Sequence, residues 1–324
     1  MFTSKSLCAL AGTALVALVF VPYVQAQDGT AEAAAPATDE KAPPLPFHTI
    51  EGYGGGAITP MAYLVNGGPA GSVFGEPAVS MSYVNLGGMN LDALSVTETL
   101  FDRVELGYAA DRLGLGNFPD DVRNFTGGGE IRTGDVWMHN FNIRGLLVKE
   151  NDFTIFDIGV PAVTAGIEFK YNANIADINN RLSGALNGIG YRSSSGEDYT
   201  LTTTKTIKEG FFGKPLIATA GLRLSEGADL GLLGFGDTYH ATFEGSIAVL
   251  PLDNLLVAYE FRQKTDPYNL NLAPLIGTED NWHAIDVGLI MNKYSTLVVG
   301  YGHFGNLANN NADGAWWFQL KYEF

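Results

Sequence analysis

From residue 78 to the end of the chain, apolar and polar residues alternate in short runs. In 255–263, Leu255, Val257, Tyr259 and Phe261 share one set of positions and Leu256, Ala258, Glu260 and Arg262 the other. In 163–171, Val163, Ala165, Ile167, Phe169 and Tyr171 alternate with Thr164, Gly166, Glu168 and Lys170. A period of two places such sets on opposite faces of a β-strand. This pattern predicts strands near 78–86, 95–101, 103–111, 136–148, 163–171, 199–207, 216–224, 239–249, 255–263, 283–291, 296–304 and 315–324. The least regular is 95–101, where neither face is clean. The connections alternate between tight (101–103, 251–254, 292–295) and long (112–135, 172–198, 225–238, 264–282, 305–314), as in an antiparallel up-and-down transmembrane β-barrel of about twelve strands. The stretch 149–162 fits less well, being long where a turn is expected.

The start of the chain points to the same compartment. Residues 1–26 carry Lys5, an apolar run over 7–21 and Val24-Gln25-Ala26, the form of a cleaved signal peptide. Its apolar run is too short to span a bilayer as a helix. Residues 27–46, rich in Ala, Pro and Glu without apolar period, read as a disordered periplasmic linker. Residues 47–77 are Gly-rich yet contain Phe47, Ile50, Tyr53, Ile58 and Tyr63. Such a segment suits a plug folded into the barrel lumen, with Gly54, Gly55 and Gly56 allowing close approach to the wall and Tyr53 and Tyr63 as contacts. A loose lead-in to the barrel at 78–324 is the competing expectation.

Composition narrows the partners. The chain has 19 Lys and Arg against 35 Asp and Glu. Loss of the signal peptide removes Lys5 and no acid, leaving 18 minus 35, a charge of −17. This balance argues against nucleic acid as a partner and favours cations at a pore mouth, or divalent bridging to lipopolysaccharide. The one cysteine, Cys8, lies in the signal peptide, so disulfide and thiolate chemistry are not expected.

If the apolar faces meet lipid, the lumen receives Arg103, Glu105, Arg144, Glu168, Lys170, Arg223, Glu244, Glu260, Arg262, Asp286, Lys321 and Glu323. These charges could pair and fill the interior or line a watery path. Trp137, Trp282, Trp316 and Trp317 fall at the expected outer strand ends and suggest an aromatic girdle. The C-terminal alternation of Phe318, Leu320, Tyr322 and Phe324 resembles the signal read by the barrel-assembly machinery. His48, His139, His240, His283 and His303 show no metal-ligand spacing, and G-x-S-x-G and H-E-x-x-H are absent. No metal, cofactor or catalytic group is expected.

The stretches GYGGGAITPMAYLVN (52–66), PAVSMSYVNLGG (77–88) and ETLFDRVELGYA (98–109) resemble an uncharacterised proteobacterial outer-membrane β-barrel family, a domain of unknown function, family 3034. The resemblance implies the fold and the outer membrane, and it supplies no activity. The reading that follows is passage of a small solute. A closed structural or adhesion barrel is the alternative, and a lipid-acting enzyme comes third.

Overall fold

In the computed structural model, the described residues are 45–324 except 70, 129 and 270–274. The expected signal peptide and most of the expected linker lie outside them. Twelve antiparallel strands close into a barrel. They are β1 (Ala78–Asn85), β2 (Asn90–Leu100), β3 (Val104–Gly114), β4 (Asp135–Val148), β5 (Ala162–Asn172) and β6 (Ser195–Phe211), then β7 (Lys214–Gly227), β8 (Phe235–Leu252), β9 (Leu255–Arg262), β10 (Trp282–Ile290), β11 (Ser295–His303) and β12 (Ala315–Glu323). Neighbours in sequence pair throughout, and β12 pairs with β1 from Trp316–Asn85 to Glu323–Ala78. Closure leaves no strand edge for which the bilayer would offer no hydrogen-bond partner.

All twelve expected strands are present. The irregular 95–101 forms the second half of β2, which begins at Asn90. Its inward residues Ala93, Ser95, Thr97 and Thr99 are small or weakly polar, which blurs the alternation. The stretch 149–161 contains a two-residue ladder, Thr154–Ile155 with Ile158–Gly159, so its length is taken up by a small hairpin.

The outward faces are apolar. Leu94, Phe141, Phe169, Leu201, Ile247, Ile285, Val299 and Leu320 are all exposed. A surface so uniformly apolar around a closed sheet is that of a protein solvated by lipid. No helix among the described residues is long and apolar enough to cross a membrane.

Long loops at one end fold inward. They carry α1 (Phe118–Thr126), α2 (Ile175–Arg181) and α3 (Ala185–Ile189). Pro119 near the start of α1, Asp120 and Asp121 in its first turn and left-handed Gly127 at its end are ordinary helix punctuation. Val122, Ile131, Ile175, Ile178, Ile189, Leu232 and Leu233 are buried beneath these loops, in one cluster with Leu113, Trp282, Phe304 and Trp317 of the upper barrel.

Two tryptophans depart from the expected girdle. Trp137 and Trp316 face outward, but Trp282 and Trp317 are 4% and 2% exposed and face the lumen. The reason is register: Trp282 stands beside inward Arg262, and Trp317 alternates with outward Trp316 across from Gly300. Asp198, expected in an outer loop, is an inward residue because β6 begins at Ser195.

Candidate functional site

The lumen is filled from the turn end. Residues 45–66 enter beside the last strand, where Lys321 Nζ donates to the Pro46 carbonyl at 2.5 Å and to Glu323 at 2.6 Å. The segment turns back through a short ladder, Phe47 with Gly55 and His48 with Gly54. It leaves near the β2–β3 turn, where the Thr99 hydroxyl donates to the Val65 carbonyl. Phe47, Ile50, Tyr53, Ile58, Met61, Ala62 and Val65 are buried.

The backbone here has little regular structure, so the wall supplies its hydrogen-bond partners. Glu260 on β9 accepts from the amides of Ala57 and Thr59 at 2.7 Å each, and from the Thr59 hydroxyl. Glu105 on β3 accepts from Gly54 at 3.1 Å and Val65 at 2.7 Å. Its cross-strand neighbour Arg144 binds that carboxylate at 2.8 Å and donates to the Met61 and Tyr63 carbonyls. Gln319 on β12 exchanges hydrogen bonds with the His48 backbone at 3.2 and 2.7 Å. The His48 ring meets Ser80 Oγ at 2.7 Å and Thr97 Oγ1 at 2.9 Å.

Close approach explains the glycine run. A Cβ on Gly56 would lie 2.4 Å from the Glu260 carboxyl, and one on Gly55 would lie 2.2 Å from the Thr59 carbonyl. Only bare backbone fits there.

At the centre, Glu51 meets three wall cations: Lys170 Nζ at 2.5 Å, Arg262 Nη1 at 2.7 Å and Arg223 Nη2 at 3.1 Å. Wall acids surround the same cations. Asp198 lies 2.8 Å from both Lys170 and Arg223, and Glu168 and Glu244 lie 3.2 and 3.3 Å from Arg223. Tyr53 donates to Glu51 at 3.0 Å and lies under the Arg144 and Arg223 guanidiniums, 5.7 and 5.9 Å from its ring centre. Glu51, Glu168 and Asp198 bring carboxylate oxygens within 4.8 Å of one another. Lys170 already stands 2.5, 3.4 and 2.8 Å from them, in the place a metal ion would need.

Of the twelve charged residues expected in the lumen, eleven are buried inward. Arg103 is the exception: it lies half-buried in the β2–β3 turn and donates to the Leu146 carbonyl at 3.3 Å. Asp286 binds the Trp317 indole N–H at 2.9 Å. Tyr63 donates to Glu150 at 2.6 Å. Glu51 and Asp198 were not among the expected site residues. A lone acid in a Gly-rich apolar stretch is the signal that could have marked Glu51. The outward histidines sit beside aromatic or acidic partners: His139 by Tyr108 at 2.9 Å, His283 by Tyr259 at 2.7 Å and His303 by Asp313 at 2.9 Å.

Small spaces remain among the described residues. One of about 150 Å³ lies between Phe47, Met61 and Tyr63 and the wall at Leu256 and Ala258. Another of about 30 Å³ separates Ile50 and Ile58 from Leu230, Leu232 and Trp317. A third, of about 140 Å³, lies among α1, α2, α3 and the neighbouring loops.

Residues 46–321 match a family described as a protein of unknown function, DUF3034. The chain belongs to this family. No curated protein matches the sequence. Among solved structures, the chain is similar to the KdgM porin at 11% identity and a TM-score of 0.45, covering 76% of this chain and 99% of that one. It is similar to the NanC porin at 10% identity and a TM-score of 0.41, covering 76% and 98%. The outer membrane protein Omp33 of Acinetobacter baumannii gives 8% identity and a TM-score of 0.39, covering 78% and 100%. This member of DUF3034 is a bacterial outer-membrane β-barrel. Its short turns accordingly face the periplasm and its long loops face outward.

Proposed function

We propose that this barrel is a gated path for a small solute, with residues 45–66 as an internal plug and no catalytic step. What carries the reading is how the segment is held. It is anchored by wall carboxylates, amides and hydroxyls, contacts that water can replace when the segment moves. The wall around Glu51 also balances without it: Lys170, Arg223 and Arg262 face Glu168, Asp198 and Glu244. Withdrawal of Glu51 therefore leaves a wall of three cations and three acids, able to pair among themselves and admit water.

A closed structural barrel is the second reading, favoured by the small size of the spaces beside the plug. Single-channel recording in planar bilayers separates the two. The full mature chain is expected to give rare, brief steps. Glu51→Gln, and a chain lacking 47–77, are expected to give frequent, resolved ones. Silence from all three, with folding established by heat-modifiable gel mobility, would transfer the assignment to a structural barrel.

A further inference from the structure

The outer chamber has a chemistry of its own. Loops at an aqueous mouth are ordinarily polar. Here several loops converge to enclose about 140 Å³ lined by Phe118, Phe125, Ile131, Ile175, Ile178 and Leu233, with further aliphatic side chains between them. One hydroxyl reaches the lining, that of Thr126, and it donates to the Val122 carbonyl at 2.8 Å. A space so lined offers water few partners; an engineered, enclosed cavity of about 150 Å³ with similar lining in another protein takes up benzene or xenon. An apolar pocket of this size also forfeits the packing its walls would gain by closing on one another. Loops serving only to seal the barrel would be expected to collapse into it.

From these observations we infer that the chamber is a binding site for a neutral apolar molecule about the size of benzene or toluene. Its rim is accessible, since Phe125 lines it and is 62% exposed. Charge selects against an anion. The arginines carried by the lining helices and the adjoining loop are each held by an acid: Arg123 by Asp120 at 2.9 Å, Arg132 by Glu130 at 2.9 Å and Arg181 by Asp177 at 2.6 Å. A carboxylate or phosphate arriving here would meet an acid beside each of them. On the inner side, Leu232 lines both this chamber and the 30 Å³ gap above Ile50 and Ile58 of the plug. Leu232 alone thus stands between the chamber and the plug tip. As a statement about what passes, the inference rests on the gated path proposed above; as a statement about binding, it stands alone.

The test is to expose crystals of the full mature protein to iodobenzene vapour and to locate iodine by anomalous scattering. Parallel crystals are soaked in 4-iodobenzoate. Iodine is expected in the chamber for iodobenzene, with occupancy at least fivefold lower for 4-iodobenzoate. Ile178→Phe, which fills the space, should abolish the peak, and Ile131→Phe serves where that variant fails to fold. Iodine found only on the lipid-facing wall, undiminished by the filling substitution, or equal for the two compounds, overturns the inference. A filled chamber in a protein whose plug variants never conduct supports the site and removes the passage. An empty chamber with conducting plug variants removes the site and keeps the passage.

Discussion

Single side chains decide how firmly the plug and the loops are held. Glu260 gathers three consecutive amides and one hydroxyl of the plug. Each hydrogen bond to a charged group contributes about 1.5–3 kcal/mol, and four on one carboxylate share that worth rather than add it. Glu260→Ala is expected to raise channel open probability at least tenfold in planar bilayers while leaving the barrel folded. Asp229, in the loop after β7, presents the opposite case. Burial, reinforced by Glu279, pushes its carboxyl well above the usual range. Lys264 stands 3.8 Å from it, drawn instead to Glu279 at 2.6 Å. A group whose folded pKa is raised binds its proton more tightly folded than unfolded, so stability falls as pH rises from the ordinary carboxyl value towards the raised one. Asp229→Asn is therefore expected to raise the thermal midpoint at pH 7 by several degrees, an advantage that shrinks towards pH 4. A midpoint difference independent of pH would show that the charge is not the cause.

Elements were legible where lipid enforces contrast. Every expected strand exists because a lipid-facing row must be apolar whatever the inward row contains, and that row repeats at period two in β5, β9 and β12. What the pattern could not reveal was the character of the inward row. It mixes charged, hydroxyl and apolar residues along each strand, so Trp282 and Trp317 look like girdle residues until register places them beside Arg262 and Gly300. The helices α1–α3 were missed although Pro119, Asp120, Asp121 and Gly127 punctuate the first of them. Glu51, which holds residues 45–66 to three wall cations, follows no periodicity at all. At the β11–β12 contact the inward packing can be measured directly. A Cβ on Gly300 would fall 2.0 Å from the Trp317 ring, whose N–H is held by Asp286 at 2.9 Å. Gly300→Ala must push the indole aside, and overpacking of this kind costs about 1–3 kcal/mol. The expected result is a lower unfolding midpoint in urea, with tryptophan fluorescence shifted to the red as the ring leaves its buried place.

Across the whole molecule, the interior is layered. A charged middle holds residues 45–66 through hydrogen bonds and ion pairs, with an apolar cluster under the outer loops and a smaller one around Phe47, Leu256 and Val298 on the other side. Ile50 and Ile58 pack against the apolar cluster under the loops, while Glu51 between them meets the charged wall. Such an arrangement has a kinetic consequence. Glu51 fixes one part of the segment to β5, β7 and β9, and Glu260 fixes residues 57–59, so each still restrains the segment when the other is removed. Their effects on release are therefore expected to exceed the sum of the single effects, as for groups sharing one moving element. Limited proteolysis of the folded protein in detergent reads this directly. Wild type should keep 45–66 intact, Glu51→Gln and Glu260→Ala should each raise cleavage a few-fold, and the double variant should raise it well beyond the product of the two. Strictly multiplicative rates would mean that the two carboxylates act on separate motions and that the segment does not leave the lumen as a unit.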